Sequence, residues 1–314
     1  MKRGLIHWDR NELSPSTFEA RLEGLNQLCA TFDVPALVVY SDVWRSNDVR
    51  FVSNYMPYWN RALTVVPRGE RPILLCSLSP RVYPWIKSVT VHETILPSPS
   101  LPVQLTKLCA EKGWRRVGMV DALGLPNDLY AQLQTDALAL VDIPHGVFRP
   151  AVTESEIAMH RRGAVLAREI LDAQLRRSAN GLNDYQLAGR LEQGLRRAGA
   201  EDLVLLMAHG RSVPLPAGGH RVGESTSVTV AFEYNGHWVK VSRNVAGVIT
   251  SLPPAADLES HVESLSGRYP WEGISSARSG GPMVTAIQAR IPQGSEYLYY
   301  GDTGVQGAAG WQPL

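Results

Sequence analysis

The dipeptide Asn235-Gly236 constrains the fold of this chain more than any other feature, because strand-forming residues flank it on both sides. These flanking segments are Val228–Glu233 and Trp238–Val245. Asn-Gly between two such segments is typical of a two-residue type I′ turn in a β-hairpin. That turn fixes the register and places Glu233 opposite Trp238. The sequence therefore predicts two antiparallel strands and also which of their residues face each other.

This register divides the hairpin into two chemically different faces, because successive side chains of a strand point to opposite sides. One face carries valines and a phenylalanine, together with Arg243. The opposite face, which we call the polar face, carries Thr229, Ala231, Glu233, Trp238, Lys240 and Ser242. Lys240 is diagonal to both Thr229 and Glu233, within reach of a long side chain. The polar face thus brings together an ammonium group, a carboxylate and two hydroxyls.

The hairpin resembles the metal-site hairpin of creatinase, prolidase and aminopeptidase P, the pita-bread metallopeptidases. Their pattern is hydrophobic-D-x-G, a turn of the Y-N-G kind, and then S-D-x-T-R. Tyr234-Asn235-Gly236 and Ser242-Arg243 fit the turn and the end of this pattern. The resemblance implies an α/β creatinase-like N-terminal domain at residues 1–148. It also implies a shortened α+β pita-bread (creatinase/aminopeptidase) domain at residues 149–314.

The rest of the chain has element signals that agree with this division. Alternating strand and helix patterns before residue 148 predict an α/β domain; they are Ala36–Tyr40, Leu63–Pro67, Leu101–Lys112, Arg116–Val120 and Pro126–Leu133. Two capping boxes, at Thr153–Glu156 and Asn183–Gln186, predict the starts of two helices. We predict a helix at the later segment Asp257–Leu265, with His261 on its surface.

The metal ligands of the family are absent from the matching positions. By resemblance, four of these positions are Thr229, Lys240, Gln288 and Gly301. The segment between Arg243 and Met283 contains no H-G-x-G motif for the ligand histidine, and Ala217 replaces the substrate-binding histidine. Threonine is a poor metal ligand, and an ammonium group repels a divalent cation. We therefore expect no bound metal, no cofactor and no metallopeptidase activity.

Lys240 is the main candidate for chemistry in place of the metals. Held by Glu233, it can bind a substrate carboxylate, or act as an acid or base if burial lowers its pKa. The alternative is a solvated strand lysine. His209 and His220 flank a Gly/Pro-rich loop that borders the substrate pocket in the family; they are either exposed loop residues or bases within reach of Glu233. Arg243 is expected to form a structural ion pair.

The candidate site therefore contains two groups of residues. The candidate catalytic residues are Glu233, Lys240, His209 and His220. The candidate substrate-binding residues are Thr229, Ser242, Gln288 and Trp238.

The composition argues against nucleic acids and membranes as binding partners. The chain has 314 residues and a formal net charge of +1, which provides no electrostatic surface for nucleic acid or an anionic membrane. No apolar segment is long enough to span a bilayer. Cys29, Cys76 and Cys109 are widely spaced in apolar contexts, which is typical of reduced thiols in a cytoplasmic protein.

Two functional classes follow. The first is a metal-independent enzyme on a creatinase-like scaffold that acts on a small polar metabolite, resembling an amino acid or an amidine. Its acid–base chemistry would be hydrolysis, elimination or isomerisation. The second is a catalytically inactive pseudopeptidase that binds a peptide or protein. The polar face favours the first class, and the shortening of the second half favours the other. A homodimer is implied by the resemblance.

Overall fold

The computed structural model describes residues 7–57, 60–134, 137–149, 152–178, 181–210, 212–247, 249, 251, 259–265, 272–273 and 282–314. The chain divides between Pro150 and Ala151 into two compact units. Each unit has its own sheet and its own hydrophobic core.

The first unit is an α/β domain with a mixed sheet. Its strands are β1 (Ala36–Ser41), β2 (Ala62–Pro67), β3 (Ile73–Cys76), β4 (Thr94–Pro97), β5 (Arg116–Val120) and β6 (Ala139–Ile143). Its helices are α1 (Pro15–Thr31), α2 (Asn47–Ser53), α3 (Tyr83–Val89), α4 (Leu101–Lys112), α5 (Asn127–Leu133) and α6 (His145–Phe148). The strand order is β4-β3-β2-β1-β5-β6, with β1, β2 and β3 antiparallel and the other pairs parallel. Alternate residues of β1 enter two separate cores, so apolar side chains cover both faces of the sheet.

The second unit packs two helices on a large antiparallel sheet. The helices are α7 (Glu154–Ser178) and α8 (Asp184–Arg197). The strands are β7 (Asp202–His209), β8 (Thr226–Tyr234), β9 (His237–Asn244), β10 (Glu259–Ser264), β11 (Glu272–Gly273), β12 (Met283–Gln293), β13 (Glu296–Gly307) and β14 (Gly310–Pro313). The strand order is β11-β10-β12-β13-β9-β8-β7, and β14 pairs with β13.

Side-chain caps explain where the two long helices begin. At α8, Asn183 Oδ1 accepts from the backbone N–H of Gln186, and Gln186 Oε1 accepts from the N–H of Asn183. Thr153 and Glu156 make the equivalent pair of bonds at the start of α7. Both predicted capping boxes are confirmed. Leu187, Leu191 and Leu195 of α8 are then buried on one helix face, as the 3.6-residue period requires.

The helix expected at Asp257–Leu265 is wrong in its described part, because residues 259–264 form strand β10. This strand pairs antiparallel with β12 and places His261 opposite Gln288. The hydrogen bonds of this ladder come from β12, which lies more than twenty residues later in the chain. A short polar segment contains no local signal for such a partner. Within the described residues, no helix is long and apolar enough to cross a membrane.

Candidate functional site

The central hairpin has the register that the Asn-Gly turn predicts. Asn235 and Gly236 have φ values of 46° and 78°, as a type I′ turn requires at both central positions. Strands β8 and β9 pair Thr229 with Ser242, and Glu233 with Trp238. The apolar face of the hairpin packs against α7 and α8. The polar face is therefore turned away from these two helices.

Three of the predicted substrate-binding side chains form one hydrogen-bonded cluster on the polar face, which we call the hydroxyl–amide cluster. Thr229 Oγ1 and Ser242 Oγ lie 2.8 Å apart, and both are buried. Gln288 Nε2, from β12, donates to Thr229 Oγ1 at 2.8 Å and to Ser242 Oγ at 3.0 Å. These bonds use one of the two hydroxyl hydrogens, so the other can be donated to a ligand. The cluster is neutral and close-packed.

Gly301 lies between the members of this cluster and has no room for a side chain. It pairs with Ser242 on one side and with Gln288 on the other. A Cβ atom at this position would lie 2.8 Å from the carbonyl oxygen of Ile287 and 3.2 Å from Ser242 Oγ. Any larger residue would therefore push two strands apart.

Lys240 and Glu233 occupy the same face, nearer the turn. Lys240 is half-buried, and its backbone N–H and C=O both bond to Thr303 Oγ1 at 2.9 Å. Glu233 is fully buried, and Trp238 opposite it is also buried. The register makes Lys240 and Glu233 diagonal neighbours, as expected. An ion pair between them stays a prediction.

His209, at the end of β7, is hydrogen-bonded to Asp184 and not to Glu233. Its Nε2 lies 3.3 Å from Asp184 Oδ2, and its Nδ1 lies 3.2 Å from Thr226 Oγ1. Burial alone would raise the pKa of Asp184, but bonds from the backbone of Gly218, Gly219 and His220 and from the His209 side chain leave that pKa below its usual range. An ionised carboxylate only accepts, so Nε2 of His209 carries the proton that faces Asp184.

His220 completes a second group of side chains, the Asp184–His209–His220 cluster. The two imidazole rings are 5.1 Å apart between centroids, and His220 is exposed. The loop between them is attached to the start of α8, because Asp184 Oδ2 and Oδ1 accept from the N–H groups of Gly218 and Gly219. Asp184 thus binds both the loop and His209.

The structure places these two clusters on opposite faces of the sheet. His209 pairs with Thr226, and paired residues share a face. Thr226, Val228 and Val230 are two residues apart along β8, so they share the face that α7 and α8 cover. Thr229 points to the opposite face. Glu233 is a further seven residues from Thr226, which corresponds to about 23 Å along the strand. Of the two alternatives for His209, the base beside Glu233 is therefore not found, because His209 bonds to Asp184.

Asp184 is the functional candidate that the sequence did not indicate. It is the first residue of α8, next to the capping residue Asn183, and resembles an ordinary helix start. Its bonds to His209 and Gly218 join residues 25 and 34 positions away in the chain. No local pattern encodes such contacts.

Comparison of the sequence with protein-family models and with curated proteins finds no match. Solved structures, however, match over most of the chain. An Xaa-Pro dipeptidase from Bacillus anthracis is 14% identical with a TM-score of 0.69, and the match covers 94% of this chain and 97% of the dipeptidase. The X-Pro aminopeptidase from Thermotoga maritima is 13% identical with a TM-score of 0.71, covering 93% of this chain and 96% of the other. The prolidase from Pyrococcus horikoshii is 13% identical with a TM-score of 0.65, covering 94% and 97%.

This chain has the pita-bread fold. The resemblance and the fold class predicted from the hairpin are thus confirmed at the level of the fold. At such low identity, the likeness shows the backbone fold alone.

The residues that the resemblance places at the metal positions are not a typical ligand set for a divalent metal. By resemblance these positions are Thr229, Lys240, Gln288 and Gly301, which provide a hydroxyl, an ammonium group, an amide and no side chain. Hard divalent cations prefer carboxylates, and structural zinc prefers imidazole and thiolate. Among the described residues, no group of three or more His, Cys, Asp and Glu side chains can hold a metal ion.

Proposed function

We propose that this chain is an enzyme that works without a bound metal ion on the pita-bread fold. Its substrate is a small polar metabolite of the amino-acid or amidine type, and its reaction is acid–base chemistry of the hydrolysis, elimination or isomerisation class. One observation carries the proposal. The positions that resemble metal ligands carry the neutral hydroxyl–amide cluster beside the cation Lys240.

Lys240 is assigned the role of the missing positive charge. Its side chain extends from a half-buried position, where an ammonium–carboxylate attraction is stronger than in water. A substrate carboxylate bound to Lys240 lies next to the Thr229 and Ser242 hydroxyls, which share its face. The hydroxyl hydrogen that the cluster does not use can then be donated to that substrate.

Glu233 is assigned the proton transfer together with Lys240. The Glu233 carboxylate is fully buried, and the hairpin register makes Lys240 its diagonal neighbour on the same face. His209 is not assigned to this step, because it lies on the other face of the sheet. The proposal includes a homodimer, which the resemblance implies and which light scattering of the purified protein tests. It also includes a cytoplasmic location, which the three thiols favour.

The first test measures the melting temperature with manganese, cobalt, zinc, EDTA, amino acids, guanidino compounds and short proline peptides. A ligand at about 100 times its dissociation constant stabilises the folded state by about 2.7 kcal/mol. We expect one metabolite class to raise the melting temperature while metals and EDTA leave it unchanged. Stabilisation by a metal, reversed by EDTA, would overturn the metal-free proposal.

The second test uses Lys240→Met, with the exposed Lys87→Met as the matched control. The metabolite that shifts the melting temperature is incubated with each protein, and its conversion is followed by mass spectrometry. We expect wild type and Lys87→Met to convert it and Lys240→Met neither to bind nor to convert it. If wild type binds the metabolite without converting it, the proposed enzymatic activity is contradicted. No binding of any metabolite would favour the peptide- or protein-binding alternative.

A further inference from the structure

Strands β9 and β13 are joined at the site mainly by side chains. Within the described parts of these two strands, the register between them consists of the single pair Ser242–Gly301. Next to it, Thr303 Oγ1 takes the place of a ladder bond by accepting from the N–H of Lys240 and donating to its carbonyl. The spacing of the two strands therefore depends on which side chains bridge them.

Arg243 bridges the strands at the site itself. Its Nη1 donates to the carbonyl oxygen of Ser242 at 2.9 Å and to that of Gly301 at 2.7 Å. These are the two residues of the Ser242–Gly301 pair. The guanidinium group approaches from the face covered by α7, where Asp172 lies 3.8 Å from Nε.

The guanidinium group is itself held by charged and aromatic neighbours. Arg243 Nη2 donates to Asp302 Oδ2 at 2.8 Å, and the guanidinium carbon lies 4.5 Å from the centre of the Tyr300 ring. Arg168 of α7 donates to the other carboxylate oxygen of Asp302 at 2.8 Å and also bonds to the carbonyl of Leu314. A planar guanidinium group can bind all of these partners at once, whereas an ammonium group is a single compact charge.

We propose that Arg243 is a positioning residue for the polar face. From the opposite side of the sheet, it sets the distance between Ser242 on β9 and Gln288 on β12, because both flank Gly301. The hydroxyl–amide cluster requires this distance, since Gln288 Nε2 reaches both hydroxyls only when β9 and β13 are close. The inference rests on the proposed function only where it regards the cluster as a binding site.

The test compares Arg243→Lys with Arg196→Lys. Arg196 is a matched control, because its Nη1 also donates to two backbone carbonyls, at 3.1 Å to Ala200 and 2.8 Å to Glu201, away from the polar face. The readout is the side-chain amide signal of Gln288 in proton–nitrogen NMR spectra without ligand. Gln288→Leu identifies this signal by removing it.

We expect Arg243→Lys to move the Gln288 amide signal towards that of an exposed glutamine and to speed its hydrogen exchange about tenfold, as expected for the loss of one to two hydrogen bonds. Arg196→Lys leaves the signal in place. If both variants lower the melting temperature and neither moves the signal, Arg243 is only structural and the proposal is overturned. If Arg243→Lys does not fold, Asp302→Asn is measured instead, and an unmoved signal in that variant overturns the proposal equally.

Ligand binding is a separate readout in the same variants. A moved Gln288 signal with no ligand found supports the positioning role and leaves the proposed function without support. If the Gln288 signal does not move but a metabolite is bound and converted, the proposed function is supported and the positioning role of Arg243 is overturned. The two proposals therefore fail independently.

Discussion

At the residue scale, Asp184 is a buried carboxylate that is stabilised in its ionised form. Its pKa in the folded protein is below the ordinary value, so it stabilises the folded state above that ordinary pKa and loses this contribution as pH falls through the folded-state pKa. We expect Asp184→Asn to lower the free energy of unfolding at pH 7 by about 1–3 kcal/mol, because the amide group places donors opposite the N–H groups of Gly218 and Gly219.

Urea unfolding at several pH values tests this expectation. The difference between wild type and Asp184→Asn should shrink as the pH is lowered from 6 towards 3. Asp33→Asn is the control, because the Asp33 side chain is 93% exposed and should change stability by less than about 0.5 kcal/mol. A difference that is the same at every pH would show that charge is not the cause.

Gly301 is the second residue-scale feature with a measurable consequence. We expect Gly301→Ala to lower the free energy of unfolding by about 1–3 kcal/mol, because the added Cβ would lie 2.8 Å from the carbonyl oxygen of Ile287. Gly301→Glu, which introduces the residue that the resemblance places at this position, should be less stable still and gain no affinity for manganese or cobalt. Gly189→Ala in α8 is the control and should be neutral or stabilising, because nothing lies within 4 Å of the added carbon. Metal-dependent stabilisation of Gly301→Glu would contradict the closed geometry.

At the element scale, the hairpin depends on its two turn residues. Gly236 has a φ of 78°, and a Cβ there adds strain in the left-handed region. We expect Gly236→Ala to lower the free energy of unfolding by about 1 kcal/mol and Asn235→Gly to change it by less than about 0.5 kcal/mol. Chemical denaturation measures the free energy of unfolding of both variants. An equal decrease in the two would contradict left-handed strain as the cause of the loss in Gly236→Ala.

Strands β8 and β10 show why one element was predictable and the other was not. Val228–Glu233 is next to its own turn, so the partner strand and the register are both local information. Strand β10 pairs with β12 across a long stretch of chain, and its residues Glu259–Ser264 have no period that separates strand from helix. The hairpin register was therefore confirmed, whereas the expected helix was wrong.

At the scale of the whole molecule, the three cysteines all lie in the first unit and are buried. Burial raises the pKa of the Cys29 and Cys109 thiols to about 11 and also raises that of Cys76. At pH 8 the thiols are therefore protonated and covered. We expect a maleimide to label the native protein at least about a thousand times more slowly than the unfolded chain, since labelling requires the first unit to open.

Because the sequence has three cysteines and none lies after residue 109, labelling reports on the first unit alone. Circular dichroism followed in the same denaturant series reports on both units. Fast labelling of the native protein would contradict the buried positions of the thiols. Labelling that begins before the loss of ellipticity would show that the first unit opens independently of the second.

The sequence alone determined the hairpin, its register and the two capped helices, since each depends on residues a few positions apart. It also determined the fold class, because the hairpin pattern resembles that of the pita-bread family. Only the tertiary structure decided that Gln288 closes on Thr229 and Ser242, that His209 bonds to Asp184 on the opposite face, and that Arg243 bridges β9 and β13. These contacts join residues 25 to 59 positions apart, and their geometry comes from strand order and packing, which no local pattern contains.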